Sequence, residues 1–332
     1  MNIRQRKELK GLACRKLEGK DSAKQIILIY TGVMLGLSLL VTTVNHLLGL
    51  EIDKTGGLSN MGTRAVLDTF RQVLPLVQSV IAMCLDLGYC AAMLRVARDQ
   101  YVSHRTLKLG FERFWPLLRL SILRGLILMG AMVGSIYLGT VVYLLTPLSD
   151  SAMDLLEPVM ANMTAMDPSI NLDGELYNQL LSAMAPCFII CGLVALVIVV
   201  PLWFQYRMAG YVLIDRPGIG AFMALHESKL LMRKNRLNLF KLDLSLWYYP
   251  AILALAAVIG YGDLLLPMVG VNLPLSSEVA FFGFYFLNLL CQGVVYYLQR
   301  TQQEVTYCLA YDSLLPKQKE ENSIVLGNIF QM

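Results

Sequence analysis

The sequence predicts an all-α, polytopic membrane protein with six transmembrane helices, both termini in the cytoplasm, and amphipathic helices at the cytoplasmic interface. Apolar residues make up 56% and charged residues 16% of the 332 residues, against roughly 45–50% and about 25% in soluble domains. Six long stretches carry almost no charge, and basic residues are concentrated in alternate connecting segments. This composition excludes a disordered chain, an ordinary soluble domain and a nucleic-acid-binding protein.

The six spans are placed on stretches of nearly uncharged sequence. The acids inside them are Asp86, in the middle of the second, and Asp263, at the end of the fifth. A helix needs about 20 apolar residues to cross the hydrocarbon core, and its backbone must satisfy its hydrogen bonds within the segment. The predicted spans are residues 25–50, 70–94, 122–146, 178–204, 244–264 and 279–299.

The distribution of Lys and Arg predicts the orientation of the spans. Of the 28 basic residues, 25 lie in the N-terminal segment, in residues 95–124 and 207–243, or after the sixth span. Residues 51–71 hold 3, and the two other connecting segments hold none. Because basic residues are retained on the cytoplasmic side, both termini are predicted to lie inside.

This topology divides the chain into three parts. Residues 1–24 form a cytoplasmic amphipathic N-terminal segment, residues 25–313 a single six-helix membrane domain, and residues 314–332 a polar cytoplasmic tail. Within the membrane domain we predict a long acidic outer loop over residues 147–177 and a cytoplasmic amphipathic helix over residues 219–236.

The cytoplasmic segments combine helical apolar periodicity with basic residues, a pattern typical of helices that lie at the membrane interface. Their charge favours contact with anionic lipid head groups of the inner leaflet. Ordinary anchoring of basic residues on the inner side explains the same pattern. The candidate head-group contacts are Arg95, Arg98, Arg233, Lys234 and Arg236.

An acid within a span is a functional candidate because its burial in lipid is costly. Gln72, Ser79 and Asp86 recur every seven residues and are expected to form a polar stripe that faces other helices. Polar residues on other spans could meet this stripe, namely His46, Asn288 and Gln292. The stripe suggests either a proton or cation pathway centred on Asp86 or a structural polar contact.

The sequence predicts no cofactor and no enzymatic activity. It has no phosphate-binding glycine loop, no His-Glu zinc motif and no nucleophile elbow. In the acidic outer loop, Met160, Met163 and Met166 share a helical spacing that could bind monovalent copper. An apolar face resting on the outer leaflet explains that spacing as well.

Several short motifs resemble a known family. They are Arg6-Lys7-Glu8-Leu9-Lys10, Gly88-Tyr89, Leu94-Arg95-Val96-Ala97-Arg98-Asp99, Gly110-Phe111, and Asp243-Leu244-Ser245 with Trp247. Together they resemble the domain of unknown function 975 family of six-helix bacterial integral membrane proteins, from about residue 6 to about residue 313. The resemblance implies a multi-pass protein of the bacterial cytoplasmic membrane, and it implies no activity. From the residues alone, we expect Asp243 to cap the fifth span or to pair with Arg236 or Lys241.

Three function classes follow from these observations. The first is a non-enzymatic structural, lipid-organising or partner-binding membrane component, whose partners are lipids and an unidentified membrane protein. The second is a proton- or ion-linked transporter or channel with a polar pathway around Asp86. The third, more remote, is a membrane enzyme that acts on lipid.

Overall fold

The protein was analysed as a computed structural model that describes residues 3–54, 61–150, 153–154, 174–268 and 276–315. Within these ranges every regular element is helical, which confirms the predicted all-α fold. The helices are α1 (Ile3–Leu17), α2 (Asp21–Lys54), α3 (Met61–Ala97), α4 (Leu109–Glu112), α5 (Phe114–Leu144), α6 (Gly174–Gln205), α7 (Ala209–Asp215), α8 (Ala221–Met232), α9 (Arg236–Leu244), α10 (Tyr248–Gly260), α11 (Gly262–Met268), α12 (Ser277–Val295) and α13 (Thr301–Leu314). Short 3-10 helices occupy His104–Lys108 and Pro147–Ser149, and a π-helical turn, Tyr296–Arg300, joins α12 to α13.

Among the described residues, five helical segments are long and apolar enough to cross a membrane. They are Asp21–Ile52, Gly62–Ala97, Phe114–Leu144, Leu181–Asp215 and Glu278–Leu314. A sixth is obtained if α9 and α10, which meet at an angle of 56°, form one broken span. The structure therefore has five or six candidate spans, at the places where the uncharged stretches predicted them.

The predicted fifth span, residues 244–264, is not one continuous helix. The Ser245 hydroxyl donates to the Leu242 carbonyl at 2.7 Å, and the Ser245 carbonyl accepts from Lys10 Nζ at 2.6 Å. Helix α10 then starts at Tyr248, with Pro250 in its first turn. Proline is compatible with that position because first-turn N–H groups have no acceptor within the helix. These side-chain contacts and the proline explain why an uncharged stretch contains a helix break.

Two compact units divide the chain. The first comprises Met1–Leu117, Gly210–Gly220 and Leu237–Met332, and the second comprises Leu118–Ala209 and Ala221–Arg236. In the first unit, α3 and α13 run in the same direction, because their contacts join residues separated by a constant 214 positions. This agrees with their predicted places as the second and sixth spans, which cross in the same sense.

Two glycines bring the backbone of the first unit into close contact around α3. A Cβ atom on Gly88 would collide with the Leu107 carbonyl, and one on Gly110 would collide with the Cys84 carbonyl. The segment from the 3-10 helix to α4 therefore packs directly on the α3 backbone. These glycines belong to the Gly88-Tyr89 and Gly110-Phe111 motifs, and their packing gives those motifs a structural reason.

The second unit is built from α5, α6 and α8. Tyr143 and Cys187 form a small buried cluster, in which the Tyr143 hydroxyl donates to the Ala183 carbonyl at 3.2 Å. The buried Ser228 hydroxyl of α8 donates to the Gln205 carbonyl at the end of α6, at 2.9 Å. Helix α8 is thereby fixed against the C-terminal end of α6.

Helices are present at two of the predicted amphipathic stretches, namely α1 within residues 1–24 and α8 within residues 219–236. The predicted helix 219–236 corresponds to α8, which ends at Met232, and to a turn that leads into α9. Helix α8 buries Ala224 and leaves Phe222 73% exposed. An apolar side chain of that size and exposure is typical of a helix that lies on a lipid surface.

Candidate functional site

The candidate site is a group of ionisable side chains in the first unit. We call it the ionic cluster and define it by six residues: Asp86, Arg98, Asp215, Arg300, Glu304 and Asp312. They come from α3, from the residue after it, from α7, and from the π-helical turn and α13. The constant offset between α3 and α13 places acids of one helix beside cations or thiols of the other.

Asp86 lies beside Arg300 in the first part of the cluster. Arg300 Nη2 donates to Asp86 Oδ1 at 2.8 Å, and the Tyr30 hydroxyl donates to the same oxygen. The Arg300 guanidinium also lies 4.7 Å from the centre of the Tyr30 ring and 4.9 Å from that of Tyr296. The carboxylate and the aromatic faces together stabilise a cation that is mostly removed from solvent.

The π-helical turn places Arg300 in this position. A π turn contains one residue more than the α-helical pattern, so it shifts the side chains that follow it around the helix axis. Tyr296 begins the turn and Arg300 ends it, and both contribute to the contact with Asp86 described above. Such turns often mark functional positions.

Glu304 forms the second part of the cluster. Its Oε1 atom accepts from the Tyr211 hydroxyl at 2.5 Å and from the Cys90 thiol at 3.1 Å. Two neutral donors therefore satisfy a partly buried carboxylate, and within the described residues no ion pair to it is recorded.

Arg98 forms the third part, just beyond the end of α3. Its Nη2 atom lies 2.7 Å from Asp312 Oδ1, and its Nη1 atom lies 2.5 Å from Asp215 Oδ1. The hydrogen bonds accepted by Asp312 and Asp215 raise the pKa of Arg98 above its ordinary value. Tyr311 donates to the second oxygen of Asp215 at 3.3 Å. The guanidinium predicted to contact lipid phosphate is thus bound by two carboxylates of its own chain.

The predicted polar stripe around Asp86 is not assembled along α3. Gln72 and Ser79 are exposed, and the Ser79 hydroxyl donates to the Pro75 carbonyl of its own helix at 2.8 Å. Asp86 is instead directed toward Tyr30 and Arg300. The seven-residue spacing was compatible with a shared face, but Gln72 and Ser79 are exposed whereas Asp86 is partly buried.

The other predicted pathway residues form separate contacts. The His46 ring stacks on Phe281 at 5.1 Å between centroids, and Gln292 Nε2 donates to Asn288 Oδ1 at 2.9 Å. Neither contact includes Asp86. Within the described residues, some buried polar atoms have no hydrogen-bond partner, and those of the first unit are Thr31 Oγ1, Asn45 Oδ1, His46 Nε2 and Gln299 Oε1.

The remaining predicted head-group contacts differ in accessibility. Arg95 Nη1 donates to the Thr106 hydroxyl at 3.3 Å. Arg233 and Lys234 are exposed just after α8. Arg236 donates to Gln205 Oε1 in the second unit. Arg233 and Lys234 therefore have the free surface that a lipid contact requires.

The family-like motif near α9 is used in contacts within the first unit. Asp243 accepts from the Tyr307 hydroxyl at 2.8 Å. It lies in the last turn of α9, and Trp247, not Asp243, is the N-cap residue of α10. Ser245 directly follows α9 and accepts a hydrogen bond from Lys10 through its carbonyl, and Trp247 is 63% exposed.

The weak copper candidates Met160, Met163 and Met166 lie outside the described residues. Within the part of the chain that the structure describes, no three His, Cys, Asp or Glu side chains are arranged to hold a metal ion.

Sequence reasoning did not identify Arg300, Glu304 or Asp312 as site residues. The uncharged stretch ends at Gln299, so these three were assigned to the region after the sixth span. The helix continues to Leu314. The spacing of Arg300 and Glu304, four residues apart, was the available signal that the charges continue one face of the same helix.

Comparison with known families finds a match over most of the chain. The profile of the family described as "Protein of unknown function (DUF975)" matches residues 1–318. No curated protein and no solved structure matches the chain.

Proposed function

We propose that this chain, which belongs to the DUF975 family of proteins of unknown function, is a non-enzymatic structural, lipid-organising or partner-binding component of the bacterial cytoplasmic membrane. One observation carries the proposal. Each acid of the ionic cluster is already bound by a donor from another helix or segment of the first unit, as Asp86 is by Arg300 and Asp215 by Arg98. Groups bound in this way stabilise helix packing, and they are poorly placed to exchange protons or to attack a substrate.

The exposed surface of α8 supports the lipid-organising part of the proposal. Phe222, Met223 and Leu230 are exposed, next to the exposed Arg233 and Lys234. Apolar side chains on α8 and basic side chains just after it match the boundary between acyl chains and anionic head groups.

The test compares the wild type with Asp86→Asn in proteoliposomes and in detergent. A structural role predicts no proton or monovalent-cation flux for either protein and a lower thermal midpoint for Asp86→Asn. The matched control is Asp68→Asn, which removes a carboxylate from α3 outside the ionic cluster and should leave the midpoint unchanged. An Asp86-dependent flux, or equal midpoints for wild type and Asp86→Asn, would contradict the structural role.

A second candidate is a proton- or ion-linked transporter or channel, and the unpartnered buried atoms of the first unit favour it. Thr31 is only 7% exposed, and its hydroxyl oxygen has no hydrogen-bond partner within the described residues. Unsatisfied buried polar atoms are costly unless water or a ligand binds them. A flux in the wild type that is lost in Asp86→Asn, with folding intact, is the result expected of this candidate.

A further inference from the structure

A partly enclosed cavity lies at the C-terminal end of α3, beside the third part of the ionic cluster. Its volume is about 160 Å³, roughly ten times the minimum that holds one water molecule. Its charged lining residues are Arg95, Arg98, Arg113 and Asp215. All of them belong to the first unit.

Two of the three arginines have no carboxylate partner within the described residues. Arg95 donates only to the Thr106 hydroxyl, at 3.3 Å. Arg113 Nη1 donates to the backbone carbonyls of Leu213 and Ile214, at 2.7 and 3.1 Å. These neutral acceptors fix the direction of each guanidinium without compensating its charge.

The positive charges around the cavity still outnumber the negative ones when Arg98 and its partners are counted. It is shared by Asp215 and Asp312, so three guanidinium groups are set against two carboxylates. The cavity therefore carries a surplus of positive charge in a partly enclosed space, where an uncompensated charge is costly. A bound anion would remove that cost.

We propose that this cavity binds a phosphate group through Arg95 and Arg113, with Arg98 held in place by its two carboxylates. Guanidinium groups suit this role because their planar array of N–H donors matches the oxygens of phosphate. The phosphate can come from a lipid head group or from a free phosphate compound. The inference goes beyond the proposed membrane role and does not depend on it.

The experiment measures binding to the purified full chain in uncharged detergent by isothermal titration at constant ionic strength. The probes are inorganic phosphate and dioctanoyl phosphatidic acid, with potassium chloride as the reference salt. Binding of inorganic phosphate supports the site and assigns it to free phosphate compounds. Binding of the phosphatidic acid alone supports the site and assigns it to a lipid head group. If neither probe binds more tightly than chloride, the proposal is wrong.

Variants locate the bound anion. Arg95→Gln should raise the dissociation constant about tenfold or more, since a hydrogen bond to a charged group contributes roughly 1.5–3 kcal/mol. Arg95→Lys retains the charge and should bind with intermediate affinity, which also shows that the site still folds. The matched control is Arg105→Gln, which removes an exposed charge from the adjacent 3-10 helix outside the cavity lining. An equal loss of affinity in Arg95→Gln and Arg105→Gln would overturn the proposal, because the effect would then be one of general surface charge.

Discussion

At the scale of single residues, Arg300 connects the acidic and the aromatic parts of the first unit. It contacts Asp86 at 2.8 Å and lies over the rings of Tyr30, Tyr89 and Tyr296. Its side chain is 20% exposed, whereas that of Asp86 is 46% exposed. Arg300 therefore depends more on the ion pair than Asp86 does, because the guanidinium has lost more of its hydration.

This asymmetry gives a prediction for a double-mutant cycle. Arg300→Gln and Asp86→Asn should each lower the free energy of unfolding, and the double variant should lose less than the sum. We expect a coupling of about 0.5–3 kcal/mol, the range for side chains in direct contact. The measurement is denaturant unfolding in detergent micelles. Combining Arg300→Gln with Asp68→Asn should give additive losses. Additive losses for Asp86 and Arg300 as well would mean that their contact contributes nothing.

The same pair shows how far sequence reasoning reaches for a single residue. Asp86 was identified because it interrupts an uncharged stretch, and a cost in lipid follows directly from its chemistry. Its partner Arg300 was not identified, because 214 positions separate the two residues. Only the packing of α3 on the π-helical turn and α13 brings them together, and that register is not encoded in the hydropathy of either helix.

At the scale of secondary structure elements, the end of α3 links the N-terminal segment to the first unit. Asp99 has a left-handed backbone conformation, with φ of 56°. Its N–H donates to the Val96 carbonyl, and that of Gln100 to the Arg95 carbonyl, which is the hydrogen-bond pattern of a Schellman C-cap. The Asp99 carboxylate then accepts from Lys16 and from Lys20, the latter at 2.8 Å.

Asp99→Asn tests this link without disturbing the helix end, because asparagine tolerates the left-handed conformation. Two partly exposed ion pairs are lost, each of which contributes about 0.2–1 kcal/mol. Amide exchange in α1 should therefore accelerate roughly fivefold. Hydrogen exchange with mass spectrometry measures this directly. Glu18→Gln removes an acid from the same region that forms no ion pair with the described part of the chain, and it should have no effect. Unchanged exchange in Asp99→Asn would show that α1 is held by its apolar contacts alone.

The backbone contact at Gly110 gives a second prediction at this scale. In Gly110→Ala, the new Cβ would collide with the Cys84 carbonyl, so α4 must move away from α3. We expect a loss of about 1–3 kcal/mol, the usual cost of overpacking. In Gly130→Ala the new Cβ meets no atom within 4 Å, and alanine favours the helix, so stability should be unchanged or higher. Thermal unfolding of both variants in one detergent makes the comparison. Equal midpoints would rule out the close approach of α4 to α3.

The elements also show where hydropathy predicts well and where it does not. Uncharged stretches marked the candidate spans because a helix in lipid needs both length and apolar composition. They did not reveal the break between α9 and α10, which depends on the Ser245 contacts and on Pro250. They also missed the continuation of the last helix to Leu314. Charged residues end a lipid-facing surface, but they do not end a helix when other helices bind them.

At the scale of the whole molecule, the alternation of basic residues and the direction of the helices are independent observations. The alternation predicts that the second and sixth spans cross in the same sense. The constant offset of 214 positions between α3 and α13 requires them to run in parallel. A missed or additional span between them would place their ends on opposite sides and separate the residues of the ionic cluster.

This topology predicts which exposed side chains a membrane-impermeant maleimide can reach in intact cells. Asp150→Cys lies in the predicted outer loop and Lys108→Cys in a predicted cytoplasmic segment, and both positions are exposed. Asp150→Cys should be labelled in intact cells, whereas Lys108→Cys should be labelled only after the membrane is permeabilised. The native Cys14 is exposed and predicted to be cytoplasmic, so it should follow Lys108→Cys. The wild type gives the background in each condition.

Labelling of Lys108→Cys but not of Asp150→Cys in intact cells would invert the topology. Arg98 of the ionic cluster and the cavity beside it would then face the outside, where the anionic head groups of the inner leaflet are out of reach.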